Sequence, residues 1–440
     1  MKAGGEPECP APLLHVFGTP VQATVMRMSE RSTRHHHTPR RLAGIEGLRA
    51  IAASSILVYH CWLFGTPGSP LGTDGLGALV MAQMAAGVTL FFALSGFLLY
   101  RPMAAAVIHG TPLIPVRTYL RNRILRIVPA YWTVLISSAV AGAVVVGYRD
   151  GPVLGSLDRV AVEDALLIQN YRPATLGTGI PPAWSLAIEA VFYLSLPLLG
   201  LLAFRIARSS DRRVLAALTP ALVLLTVGLA GKATATWLIP PHVLSNFTDG
   251  WHSVLDRSFL AQADKFSFGM MLAVLRVQVE AGRFTLPSIR TRMALEAAAI
   301  AVMASLLLAA PYWSYSYDVT MTLALSAVVG LVAVPVRGPS RLIGVLESRA
   351  LVAVGLASYS VFLWNQPVEY WLLAHHLTSP GLAGFGLNLT VLAVVVGLLA
   401  AATYLAVERP ALRLKTRART GGLGSFTSPH DRTSDSTARA

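Results

Sequence analysis

Apolar residues along this chain are gathered into blocks of about 20, far longer than the rhythm of a half-buried strand or a surface helix requires. A block of that length, coiled as α-helix, matches the hydrocarbon thickness of a bilayer. The blocks fall near 46–64, 77–100, 129–147, 186–205, 214–231, 258–276, 293–312, 319–336, 353–374 and 383–406. They predict an all-α, polytopic membrane protein of about ten transmembrane helices. The polar segments between them alternate in charge. Those at 101–126, 205–213, 276–292, 337–349 and from 409 onward are basic, while 65–76, 148–183, 232–257, 313–318 and 375–382 carry few cations. Because cytoplasmic loops accumulate Lys and Arg, ten spans with both termini in the cytoplasm satisfy the whole pattern, and an eleventh would break it.

Composition supports this picture. Hydrophobic residues make up 54% and charged residues 13% of the 440, with a mean hydropathy of +0.57, a balance expected of a chain dissolved in lipid. The formal net charge of +14 sits in short clusters between spans and not in a basic patch interleaved with aromatics, so topology explains it and a nucleic-acid partner is not expected. Residues 1–43 are Pro-rich and basic, lack the apolar core of a signal peptide, and are expected to form a disordered cytoplasmic tail. Met26 or Met28 could be the true start. Residues 44–412 form the membrane domain, and 413–440, rich in Gly, Ser, Thr and Asp, a second disordered tail. His35, His36 and His37 could bind a metal weakly, but a short flexible run of this kind is more often solvated. Cys9 and Cys61, one in the tail and one in the first span, make neither a disulfide framework nor a metal site, and no metal is expected.

Candidate chemistry begins in residues 44–64, GIEGLRAIAASSILVYHCWLF. Arg49 and His60 are eleven residues apart, which on a helix is roughly 16 Å along the axis and within about 20° of the same face. Ionisable groups inside an apolar span are costly unless they face a bundle interior, so the pair reads as functional, although Arg49 alone could snorkel to headgroups. Arg123 and Arg126, with Arg117 and Arg121 close by, give a basic amphipathic helix at the cytoplasmic surface, ending at the proline that starts the third span. It could hold the phosphates of an anionic cofactor or simply bind lipid headgroups. Ser95-Gly96 suits close helix packing better than nucleophilic chemistry. Ser185, Glu189 and Tyr193 share a face just inside the outer boundary, where Glu189 could anchor a base, bind substrate hydroxyls or pair with Lys265 or Arg257. Asp264 and Lys265 are expected to neutralise each other, Ser358 to Pro367 gives the ninth span a polar stripe, and helix-end capping suffices to explain Glu408.

The ordered set GLRAIAASSILVYH, GVTLFFALSGFLL, RNRILRIVPAYW, WSLAIEAVFYL, SYSVFLWNQP and VERP resembles, station by station over roughly 44–412, the acyltransferase-3 family of integral membrane O-acyltransferases. The resemblance implies a ten-span domain in the plasma (inner) membrane that moves an acyl group, usually acetyl, from cytoplasmic acyl-CoA to a hydroxyl. The acceptor would be a sugar of a cell-envelope glycan, a glycolipid or a secreted natural product. It maps the family's Arg-x10-His pair onto Arg49 and His60, and its Arg-x-x-Arg onto Arg123 and Arg126. The chain departs from the pattern at Asn365, where a histidine is frequent, at Glu46 for aspartate, and at Thr89 for an acid.

The implied mechanism places the phosphates of CoA on Arg123 and Arg126 and threads pantetheine toward His60, which acts as general base or acyl carrier. Arg49 binds cofactor or oxyanion, and Glu189 holds the acceptor or orients the imidazole. Acceptor capture would fall to the outer loops with Trp237, Trp251 and His252. The competing class is a transporter or flippase of a sugar-bearing or anionic lipid, in which Arg49, His60 and Glu189 line a pathway without covalent chemistry. A membrane acyl sensor with a dead site is a third.

Overall fold

The computed structural model describes residues 42–66, 75–148, 152–238, 250–284, 288–308, 315–334 and 340–420. The N-terminal tail up to residue 41, with Cys9 and the three histidines, and the tail from 421 lie outside the described residues. The protein is mostly helical and polytopic. Seven helical stretches among the described residues are long and apolar enough to cross a membrane: 76–109, 116–140, 181–209, 213–238, 315–333, 349–374 and 381–415.

In chain order, α1 (Ile45–Leu63) is followed by α2 (Leu76–Gln83), which passes through a 3-10 turn into α3 (Gly87–His109). Helix α4 (Val116–Val140) leads to a hairpin of β1 (Val144–Tyr148) and β2 (Pro152–Gly155) and the single turn α5 (Val162–Leu166). Helices α6 (Trp184–Ser209) and α7 (Arg213–Leu238) are separated from α10 (Asp264–Glu280) by two short helices, α8 (Trp251–Asp256) and α9 (Phe259–Gln262). Then come α11 (Ile289–Leu308), α12 (Tyr315–Ala333), the short α13 (Arg341–Leu346), α14 (Arg349–Ala374) and α15 (Gly381–Thr403). A π-turn, Tyr404–Glu408, joins α15 to α16 (Arg409–Thr420). The C-terminal tail expected from 413 is therefore helical as far as Thr420.

The third block differs from its sequence pattern. The basic stretch and the apolar block form one helix, α4, which passes through Pro129 and stops at Val140. The β-branched run Val144 to Val146 then pairs with 153–155 as a hairpin, the exception to the expected all-α fold. The segment after it is not a solvated loop. Leu176, Ile180, Ala183, Ala187 and Ile188 are buried, so the N-terminus of α6 starts deep within the protein.

Packing is closest where α3 meets α10. A Cβ on Gly96 would strike the backbone carbonyl of Phe266, and one on Gly269 the carbonyl of Ala93. Paired glycines thus bring two backbones into contact, as small residues do between helices in lipid. Phe266 lies in the same seam, stacked on Phe192 at 4.2 Å.

Lys232, Asp264, Lys265 and Asp318 are paired across the fold. Asp264 and Lys265, adjacent in sequence, do not neutralise each other. Lys232 Nζ binds Asp264 Oδ2 at 2.5 Å and Asp318 Oδ2 at 2.9 Å, and Lys265 Nζ binds Asp318 Oδ1 at 2.8 Å. Successive helical residues point about 100° apart, so each finds a partner on a different neighbour.

The outer segment is organised around Asp164, which is buried. Its carboxylate accepts from Thr178 Oγ1 at 2.6 Å and from the Ala161 N–H at 3.2 Å. Gly179, at φ +70°, brings backbone against it where a Cβ would touch Cγ. Burial pushes the Asp164 carboxyl up from 3.8 to about 6, against those two hydrogen bonds, with neighbouring Glu163 adding to the rise. An acid whose value is raised on folding contributes stability that is complete below the unfolded value. That stability is lost as pH climbs through the folded value. The melting temperature of the wild type should therefore decline between pH 4 and 7 relative to Asp164→Asn, measured for both in detergent. Parallel curves would contradict this.

Candidate active site

Five helices build a first cavity of about 130 Å³. Arg49 enters from α1, Ser95 from α3, Arg123 and Arg126 from α4, Ser185, Glu189 and Tyr193 from α6, and Tyr359 from α14. The spacing of four on α6 does place Ser185, Glu189 and Tyr193 on one wall. Glu189, read from sequence as lying near the outer boundary, shares its cavity with the three arginines because α6 starts so deep. Its Oε1 accepts from Ser95 Oγ at 2.5 Å.

The arginines differ in how far they are committed. Arg126 is paired with the buried Glu408, whose other oxygen accepts from Ser360 at 3.0 Å. Arg49 donates from Nε to Ser358 at 3.2 Å and lies 3.6 Å from Glu46. Arg123 sits over the rings of Tyr119 and Tyr193, each 5.8 Å from centroid, and its buried Nε has no hydrogen-bond partner among the described residues. An arginine held by ring faces keeps its donors for an anion.

A second cavity, of about 360 Å³, holds His60. Ile56 and Tyr59 of α1 line it with Gln83 of α2, Trp184 of α6, Gln262 of α9, Lys265 of α10, Asp318 of α12 and Gln366 of α14. The two cavities are stacked. On α1 the order is Arg49 then His60, on α14 Tyr359 and Phe362 then Gln366, and Val88 of α3 lines both. Val88 is flanked by Phe91, which meets Phe362 edge to face at 6.1 Å.

Arg49 and His60 both bond to α14, at Ser358 and Asn365, which confirms that they share a face of α1. His60 Nδ1 lies 2.6 Å from Asn365 Oδ1, while the Asn365 amide nitrogen donates to Phe362 O at 2.5 Å. An amide oxygen only accepts, so Nδ1 carries the hydrogen and Nε2 keeps its lone pair. Asn365 thus fixes the His60 tautomer in which Nε2 can accept a proton. Arg49, Glu189, Arg123 and Arg126 line the first cavity and His60 the second, so the structure does not bring the five candidates into one chamber.

Several contributors were not evident from sequence. Glu408 appeared to be a helix cap, and its partner Arg126 is 282 residues away. Asp318, Lys232, Gln83 and Gln262 carry no motif. Glu369 extends the polar stripe of α14 and is buried against Gly65 with neither oxygen partnered among the described residues. Of the residues expected to capture an acceptor, Trp237 and Trp251 stand exposed at 85% and 69%, away from both cavities. Among the described residues no cluster of His, Cys, Asp and Glu could hold a metal ion.

Comparison with known proteins adds the following. A family described as acyltransferase domain matches residues 42–407. The putative peptidoglycan O-acetyltransferase YrhL of Bacillus subtilis is 26% identical over 90% of this chain and 57% of its own length. The O-acetyltransferase OatA of Staphylococcus aureus is 22% identical over 78% of this chain and 53% of its own. The acyltransferase MdmB of Streptomyces mycarofaciens is 32% identical over 36% of this chain and 39% of its own. The chain thus spans little more than half the length of YrhL and OatA. No solved structure matches.

Proposed function

The chain belongs to the acyltransferase-3 family, whose acyltransferase-domain model covers residues 42–407, and from that premise we propose that it moves an acetyl group from cytoplasmic acyl-CoA to a sugar hydroxyl on the far side of the plasma membrane. The observation that carries this reading is the stack of two unlike cavities meeting at Val88, one rich in arginine and one holding a histidine of fixed tautomer. Anionic donor and hydroxylic acceptor would each have a chamber of matching chemistry. In the topology expected from the loop charges, with both termini cytoplasmic, the arginine cavity lies on the side where acyl-CoA is made.

In this scheme Arg123 and Arg126 hold phosphate, with Lys415 of α16 within electrostatic reach of both. Arg49, in the same cavity and roughly 16 Å along α1 from His60, adds a third cation that binds the donor. Glu189, hydrogen-bonded to Ser95, offsets the three like charges around it and keeps the cavity assembled before the donor arrives. His60 Nε2 takes the proton of the acceptor hydroxyl as its oxygen bonds to the thioester carbon. The carbon–sulfur bond then breaks, and the sulfur leaves as thiolate.

Transfer of radiolabelled acetyl from acetyl-CoA in membranes containing the protein, followed by extraction of glycans and lipids, tests the proposal. Label is expected in one hydroxyl-bearing species. Passage of a sugar-bearing or anionic lipid across the bilayer with no acyl-CoA consumed would replace it with the transporter reading.

A further inference from the structure

The second cavity contains more than a base. Gln83 and Gln262, from different helices, are 7% and 6% exposed, and each has one amide atom satisfied and the other not. Gln83 Oε1 accepts from Tyr317, which leaves Nε2 without a partner among the described residues. Gln262 Nε2 donates to Asp256 O at 2.8 Å, which leaves Oε1 likewise unpartnered. Both side chains line the cavity that holds His60. A buried, unpaired donor and a buried, unpaired acceptor are each costly and call for an occupant. A hydroxyl, which donates and accepts, satisfies either one.

The charges around them narrow the class. Two carboxylates, Asp256 and Asp318, and two cations, Arg257 and Lys265, line the cavity. Lys265 is bound to Asp318 at 2.8 Å, and Arg257 sits 3.8 Å from Asp256 and over the Trp184 ring at 5.9 Å. The set is balanced, so nothing in it favours a ligand of net charge. Asp318 is held by two lysines yet remains 30% exposed, with lone pairs left for hydroxyl donors. Trp184 and Tyr315 supply flat apolar surface of the kind that packs against the C–H face of a sugar ring. The volume of about 360 Å³ is at the small end of ligand pockets, about one or two rings.

We infer that this cavity is a binding subsite for a neutral sugar, gripped by Gln83, Gln262 and Asp318 so that one ring hydroxyl is presented to His60. It rests on the reading of the protein as an acyltransferase and deepens it, replacing the exposed loop aromatics with a built site.

The test uses the full chain in lipid nanodiscs and two probes of equal size, chitobiose, which is neutral, and a disaccharide containing glucuronate, which is anionic. Isothermal titration calorimetry should show chitobiose bound at millimolar strength and the uronate at least fivefold more weakly. Gln83→Met and Gln262→Met keep side-chain volume on two separate helices, and size-exclusion elution checks their folding. Each should weaken chitobiose binding at least fivefold. Absence of chitobiose binding by the wild type, unchanged affinity in both folded variants, or preference for the uronate overturns the inference. Acetyl transfer in membranes, run in parallel, keeps the two proposals apart. Label moving without chitobiose binding sinks the subsite alone, whereas no label moving sinks the acyltransferase reading.

Discussion

His60→Ala is expected to lower acetyl transfer by about 10²- to 10⁴-fold, the range that a positioned general base contributes, while leaving the protein at normal abundance. The second half is as important as the first. His60 is half-buried at the edge of a cavity, so truncating it opens space next to existing space and does not leave a void in a packed core. The one hydrogen-bond partner of its ring among the described residues, Asn365, keeps the bond from its amide nitrogen to Phe362. Transfer rate against immunoblot signal in the same membranes separates chemistry from folding. Wild-type rates in the alanine protein would remove His60 from the mechanism. Loss of protein together with activity would make it structural.

Lys232→Met should be the most damaging single change to stability. Lys232 and Asp264 are 4% and 0% exposed and 2.5 Å apart, and Asp264 Oδ1 has no partner among the described residues. Removing the lysine leaves a buried carboxylate with no ion-pair partner among the described residues, an arrangement that costs about 3–5 kcal/mol. Asp318 would lose one of its two lysines as well. The double variant Lys232→Met, Asp264→Asn removes the stranded charge and should recover much of the loss, because deleting both partners is far milder than deleting one. Thermal melting of the three proteins in one detergent measures the difference. A single variant as stable as wild type would show that the ion pair contributes nothing.

The helices were legible because a bilayer imposes a length and an apolarity that a single sequence displays directly. The hairpin was not, since Val144 to Val146 read equally well as the tail of a span, and only pairing with 153–155 decides between them. Nor was the depth at which α6 begins, which depends on the buried segment before it. At the site, Arg49 and His60 could be paired from spacing alone because both lie on one straight helix. Asn365 and Glu408 act across more than 280 residues of sequence, and no periodicity reports such a contact. Asn365 even read as a possible defect, and its effect on His60 became clear only from which amide atom faces the ring. Gln83 and Gln262 carry no charge and no motif, so their importance lies entirely in what the fold leaves unpaired around them.

The apolar wall at Val88, with Phe91 and Phe362 beside it, has an electrical consequence if transfer proceeds as proposed. The hydroxyl proton is released into the outer chamber and the thiolate is left in the inner one. Val88, Phe91 and Phe362 carry no hydrogen-bonding group to pass a proton between the chambers, so the first drains outward and the second draws a proton from the cytoplasm. Each acetyl delivered then exports one positive charge. A membrane held negative inside opposes that export by about 2.3 kcal/mol per 100 mV, and turnover should slow when a potassium diffusion potential of that sign is imposed on proteoliposomes. The septum would thus make glycan decoration answer to the energised state of the cell, through a side chain that takes no part in the chemistry.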